Sequence, residues 1–226
     1  MLTIKIKFLL KTLITALVFS LILFLSAGKI DYFQGWIFLA GNLITGFMNY
    51  WTIRNDPELM NERSNVADNA KSWDKKILGI SALVYVLNVI LAGLDSGRFQ
   101  CSAQFHWSLY AGGVLFLLMG QVIFLAARKQ NRYFSSVVRI QKDREHKVCD
   151  SGLYRIVRHP GYLGMIISLA SIPLITGSVW SSLSTGLAIL LLVIRTQLED
   201  KTLLNELEGY ISYSQKTRFK LIPGVW

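Results

Sequence analysis

Apolar residues fall in six blocks along the chain, near Phe8–Ala27, Gly35–Ile53, Ile77–Leu94, Trp107–Ala127, Tyr162–Val179 and Trp180–Gln197. Each is close to the ~17–25 residues that a bilayer-spanning helix needs, and the shorter ones call for tilt or local thinning. The pattern predicts an all-α, polytopic integral membrane protein with about six transmembrane helices, or five if the last pair is only partly embedded. Almost nothing separates the last two blocks. Pro173 and Gly177-Ser178 supply a turn there, which predicts a tight C-terminal helical hairpin. Trp36, Trp51, Trp107 and Trp180 stand at block ends, where indole rings anchor at headgroup level. Gly41, Gly46, Gly112, Gly113 and Gly120 would let helices approach closely. With no internal repeat, residues 1–226 read as one membrane domain: four N-terminal helices over 1–127, then a polar loop, hairpin and tail over 128–226.

Charge orients these blocks. Lys and Arg number 3 through Lys11, 5 in 54–76, 9 in 128–161 and 5 in 195–226. The alternate connections hold only Lys29 and Arg98, so the split is 22 against 2 and the bias predicts both termini on the cytoplasmic side. The net charge of +10 is spread over these loops and not gathered into one stripe, which argues against nucleic acid as a partner. Lys5, Lys7, Lys11 and Leu13–Ala27 have the look of a signal peptide but lack a small-x-small cleavage site, so they read as the first spanning helix. Cys101 and Cys149 are far apart and form no CxxC, so free thiols are expected. Loop 54–76, with Asp56-Pro57-Glu58, Asn61-Glu62-Arg63 and Trp73-Asp74-Lys75-Lys76, balances five acids with five bases. It reads as a solvated connector.

The densest polar stretch is His146–Gly164, which holds two of the three histidines, three glycines and a proline, then enters an apolar block. Pro160 lies at the helix start, where it costs no hydrogen bond and fixes the entry angle. The free N–H groups of that helix start suit a carboxylate or another anion. Arg155 and Arg158 add positive charge, although snorkelling to headgroups would also account for either. His146 and His159 have no third ligand at coordinating spacing, so no metal is expected. Arg195 directly follows Leu190–Ile194, at or just inside the interface, where an arginine signals function and a buried carboxylate partner. Glu199 shares its helix face at i+4; the plainer account of that pair is a surface ion pair. The tail, Gly209-Tyr210 through Trp226, is basic and aromatic, fit to lie on a headgroup surface or to cap a site.

Taken together, His146-x-Val-x-x-x-Gly-x-Tyr154-x-x-x-Arg158-His159-Pro160-x-Tyr162-x-Gly164, Arg195-x-x-x-Glu199-Asp200 and the Gly-x-x-x-Tyr…Leu-Ile-Pro tail resemble the isoprenylcysteine carboxyl methyltransferase family. They are also similar to related membrane phospholipid and thiol methyltransferases. The resemblance covers about residues 130–226. It implies a membrane enzyme that uses S-adenosylmethionine as cofactor, held by the loop before the hairpin and closed over by the C-terminal segment. Carried over residue by residue, His146, Lys147, Val148 and Cys149 would line the cofactor. Tyr154 and His159-Pro160-Gly161-Tyr162 would hold its amino-acid end and sugar. Glu199 would bind it from the last helix, and Arg195 would grip the substrate carboxylate. One departure is Arg139, which stands where the family often has a cofactor-contacting glutamine; Gln141 is the candidate substitute.

The partners implied are the bilayer and a lipidic or small membrane-soluble methyl acceptor, foremost a prenylcysteine-like carboxylate. A carboxylate is ionised at neutral pH and needs no general base, only an arginine to fix it. A thiol or phospholipid amine would need a base, with Glu199 or His159 nearest. An NADPH-dependent sterol-type reductase, whose C-terminal half is related, and a non-enzymatic transporter or scaffold are the alternatives from other classes. Against transport, no block is visibly broken to make a midplane site.

Overall fold

Apolar runs of this length fold as helices because lipid offers no partner to a backbone N–H or C=O. The computed structural model describes residues 2–56, 60 and 70–226, and among them seven α-helices and no strand. They are α1 (Leu2–Ala27), α2 (Phe33–Ile53), α3 (Ser72–Ala92), α4 (Trp107–Gln130), α5 (Pro160–Thr176), α6 (Ser181–Glu206) and α7 (Tyr210–Lys216). A π-helical segment, Gly93–Phe99, prolongs α3. Four stretches, Lys5–Ala27, Ser72–Phe99, Trp107–Gln130 and Ser181–Glu206, are long and apolar enough to cross a membrane, and α5 is a shorter apolar helix. The expected class, an all-helical integral membrane protein, is the one observed.

α3 and α6 outrun their apolar blocks. α6 continues past Gln197 to Glu206, and α3 begins at Ser72, ahead of Ile77. In both cases the polar extension leaves the apolar zone while its backbone stays helical, because tertiary partners take over where lipid ends. Leu10, Leu13, Ile14, Leu17, Leu21 and Leu25 of α1 are exposed, as suits a lipid-facing helix, while Leu23 and Ala27 join Tyr32, Phe38, Val89 and Ala92 in a buried cluster.

α4 and α5 lie closest together, and glycine is the reason. A Cβ added at Gly120 would sit 2.5 Å from the Gly164 carbonyl oxygen, and one at Gly164 would sit 2.6 Å from the Gly120 carbonyl oxygen. Gly113 likewise abuts Leu174 and Ile175, whereas Gly112 faces open space and has no packing role of this kind. The expected hairpin is present: Gly177 closes α5 in the left-handed region (φ 66°), its N–H donating to the Pro173 carbonyl. Asp95, from the π-helical segment, ties this turn down, accepting from the Ser178 and Ser102 hydroxyls (2.6 Å each) and from the Ser102 and Trp180 N–H groups.

At the opposite end converge the start of α3, the end of α4, the start of α5, the last turns of α6, and α7. The polar residues of 131–159 are gathered there.

Candidate functional site

The loop between α4 and α5 is built on Gln141, which is fully buried. Its Nε2 donates to the Tyr133 carbonyl (2.7 Å) and its Oε1 accepts from Arg144 Nη1 (2.7 Å). Its backbone C=O accepts the His146 N–H (3.2 Å), and its own N–H donates to His146 Nδ1 (3.4 Å). The His146 ring also packs on Tyr133, with centroids 4.5 Å apart. Burial, helped by Arg139 and Arg144, pushes the His146 pKa down to about 4, so the ring is neutral with Nδ1 as acceptor. Gly152 adopts φ 56° with a Cβ direction blocked by the Gln130 amide, whose Oε1 accepts the Leu153 N–H. Only glycine fits there. The turn it starts buries Tyr154, whose carbonyl accepts the Tyr213 hydroxyl (2.7 Å). Burial pushes the phenols of Tyr154, Tyr210 and Tyr213 well above the usual range, so all three act as neutral groups.

Arg158 and His159 carry the chain into α5. Their N–H groups donate to the carbonyls of Phe219 and Lys220 (2.9 Å each), which seats the tail against the loop. Arg158 makes a two-pronged ion pair with Asp200 (2.8 and 3.0 Å), and its Nη1 donates to the carbonyls of Thr217 and Arg218. Burial works against this guanidinium's charge, but the bonds to Asp200 outweigh it and hold its pKa above the ordinary value. His159 Nε2 lies 3.2 Å from Asp200 Oδ1, which also accepts the Tyr210 hydroxyl (2.9 Å). Arg158 is therefore no headgroup snorkel. It is a staple from loop to α6 to tail, and removing one partner from such a buried pair costs about 3–5 kcal/mol.

Arg195 is 6% exposed, which rules out a surface ion pair with Glu199. Its buried carboxylate partner is Asp74: Nε to Oδ1 is 2.7 Å and Nη2 to Oδ2 is 3.2 Å. Nη2 also donates to the Ser136 carbonyl (3.0 Å). The reading of loop 54–76 as a solvated connector is thus corrected at Asp74, which lies in the first turn of α3 and is 0% exposed. Balanced local charge concealed a carboxylate whose partner is distant in sequence. Pro57-Glu58 and Asn61-Glu62-Arg63 of that loop lie outside the described residues. Glu199 instead accepts the Tyr162 hydroxyl, and the Tyr162 ring sits 5.4 Å from the Arg195 guanidinium.

These groups surround one cavity of about 260 Å³. His146, Lys147, Val148, Cys149, Tyr154, His159, Gly161, Tyr162, Arg195 and Glu199 all line it, whereas Pro160, the first residue of α5, does not. Arg139 lines the cavity and Gln141 does not. The wall also includes Phe134 and residues 135–138, which no sequence signal had marked. A second, largely apolar cavity of about 390 Å³ lies deeper among α2 to α6 and shares Phe124 and Met165 with the first. Among the described residues no group of His, Cys, Asp and Glu has the makings of a metal centre.

A helical membrane protein with a cavity at one end of the bundle lined by both charged and apolar side chains, beside a more apolar one, is the class that fold and site define. Residues 113–205 match the isoprenylcysteine carboxyl methyltransferase (ICMT) family, so the resemblance first drawn from the loop and hairpin motifs stands over that stretch. A probable protein-S-isoprenylcysteine O-methyltransferase of Oryza sativa subsp. indica is 38% identical over 63 residues, 27% of this chain and 33% of that one. The protein-S-isoprenylcysteine O-methyltransferase of Schizosaccharomyces pombe is 29% identical over 134 residues, 52% of this chain and 57% of its own length. The B form from Arabidopsis thaliana is 27% identical over 89 residues, 39% and 41% of the two chains. In each case the chain spans less than two thirds of the relative's length.

Proposed function

We propose that the protein is an S-adenosylmethionine-dependent methyltransferase acting on a membrane-partitioned acceptor, most directly a prenylcysteine-like carboxylate. The observation that carries this reading is the convergence of ten candidate residues from two separate stretches of sequence on a single cavity. The donor set suits the cofactor. Glu199 offers a carboxylate to its cationic centre or ammonium group, and the N-terminal end of α5 faces its carboxylate. The backbone N–H groups of Lys147, Val148 and Cys149 make no hydrogen bond to the protein among the described residues, so they are open to a base or sugar. Arg139 replaces the family's glutamine at the cavity wall, while Gln141 is committed to holding the loop. When bound, S-adenosylmethionine supplies the electrophilic methyl group.

The chain's own residues do the rest. Arg195, fixed by Asp74, has an Nη1 with no hydrogen-bond partner among the described residues, and it borders the cavity. It binds and aims the acceptor carboxylate. The Tyr162 hydroxyl fixes Glu199, and the Tyr154, Phe134 and Tyr213 rings keep water from the reacting centre, so alignment and desolvation supply the acceleration. A carboxylate acceptor needs no base. A thiol or amine would, and His159, with Nε2 turned to Asp200, is poorly placed to serve. The apolar cavity beyond Phe124 and Met165 supports an acceptor whose hydrocarbon part stays in the membrane. The charge asymmetry supports a site and termini on the cytoplasmic side, since Lys29 and Arg98 lie at the opposite end.

The test is methyl transfer from labelled S-adenosylmethionine, in membranes containing the protein, to a farnesylated cysteine with a free carboxylate. Base-labile label on that acceptor is expected. Label only on a thiol or a phospholipid amine would replace the carboxylate by another acceptor.

A further inference from the structure

The family match covers 113–205, yet Arg195, which lines the cavity, is held by a carboxylate far outside that stretch. Asp74 lies 121 positions before Arg195 and belongs to α3, among the helices whose residues carried no functional reading. Its two oxygens take three donors: Arg195 Nε, Arg195 Nη2 and the Val138 N–H (2.8 Å). A carboxylate in the first turn of a helix is further favoured by the helix dipole.

The geometry decides what this pair can do. A guanidinium held by Nε and Nη2 along one edge has two rotations removed and its remaining edge, at Nη1, fixed in direction. Arg195 lines the cavity, and its Nη1 makes no hydrogen bond among the described residues. The same carboxylate pins Val138, whose carbonyl accepts the Lys71 N–H (3.1 Å), while Arg195 Nη2 pins the Ser136 carbonyl. Asp74 therefore sets both the arginine and the wall segment beside it. Glu199, the nearer acid in sequence, is not bonded to Arg195; it takes the Tyr162 hydroxyl and leaves the guanidinium to Asp74.

We propose that Asp74 is a positioning residue for the methyl-transfer reaction: it holds Arg195 in the one orientation that offers Nη1 to the acceptor anion. The inference rests on the methyltransferase reading above. It adds that the N-terminal half of the chain takes part in acceptor recognition through α3, and that Asp74 acts only through Arg195.

The test is a double-mutant cycle on the full-length protein in detergent, using Asp74→Asn, Arg195→Gln and the double variant. Its readouts are melting temperature, affinity for S-adenosylhomocysteine, and kcat and KM with a farnesylated-cysteine acceptor. Asp74→Asn should lower kcat/KM for the acceptor by about 10²-fold, the order expected when a reacting group loses its placement. Affinity for S-adenosylhomocysteine should stay unchanged. Because Asp74→Asn leaves a buried arginine unpaired and can fail to fold, the deciding comparison is Arg195→Gln against the double variant, in which neither charge remains. Equal kcat/KM in those two supports positioning through Arg195. A further drop in the double variant with folding intact, or an equal loss of S-adenosylhomocysteine affinity, overturns it. A wild-type protein that binds S-adenosylhomocysteine but gives that result loses only the role of Asp74. A folded wild-type protein that neither binds nor transfers overturns both proposals.

Discussion

The site's charged side chains divide into those fully committed to structure, Arg158 among them although it lines the cavity, and those that keep a donor or acceptor free among the described residues. Arg158 and Asp200 satisfy each other and the tail, so Asp200→Asn should cost stability, with acceptor KM little altered; a melting curve beside steady-state kinetics checks this. Arg195→Lys should leave S-adenosylhomocysteine affinity intact and cut turnover, because a point charge cannot hold Asp74 and an acceptor carboxylate as a planar fork does. His146 supplies a pH signature. Its pKa in the folded protein is pushed down to about 4 from 6.5, so above 6.5 both folded and unfolded states are neutral. As pH falls from 6.5 towards 4 the unfolded chain takes a proton that the folded ring refuses, and stability drops across that window. Protonation also removes the acceptor used by the Gln141 N–H. The melting-temperature advantage of wild type over His146→Gln should therefore shrink between pH 6.5 and 4; a constant difference would deny the ring its neutral, buried state.

Helix contacts repeat this division. Glycine brings α4 and α5 close enough for backbone to meet backbone at Gly120 and Gly164, and Gly161 lies under the Phe134 ring that forms part of the cavity wall. Gly164→Ala should force the helices apart and destabilise by about 1–3 kcal/mol, the usual cost of overpacking, read as a lower midpoint in detergent unfolding. The helices themselves were legible in the sequence because each carries its own apolar run. The hairpin was legible from Pro173 and Gly177. Less legible were the ends of α3 and α6, since a helix leaving lipid goes on as long as tertiary contacts satisfy its polar face. Asp74 was illegible for the same reason: its partner is neither i+3 nor i+4, and a balanced run of charges around it reads as solvated surface.

At the scale of the whole molecule, one end of the bundle holds the cavity and most of the basic residues, and the other holds the Asp95 hub, Lys29 and Arg98. The motif stretches disclosed residues of 146–199 that share the cavity, because the two stretches flank a hairpin that folds them together. It could not disclose the wall at 134–138 or the deeper apolar cavity, which exist only once α2, α3 and α4 pack around them. The two cysteines offer a check on sidedness, as Cys101 is exposed near the Asp95 end and Cys149 lines the cavity. In sealed right-side-out vesicles a membrane-impermeant maleimide should label Cys101 and spare Cys149, and inverted vesicles should reverse the access; labelling of Cys149 from outside would reverse the orientation. The central claim, that this cavity is a methyl-donor site, is tested most directly by calorimetric titration of the detergent-solubilised protein with S-adenosylhomocysteine. Saturable 1:1 binding that Glu199→Ala abolishes and Arg195→Lys preserves is the result predicted. No binding to the folded wild-type protein, or binding indifferent to Glu199, would contradict it.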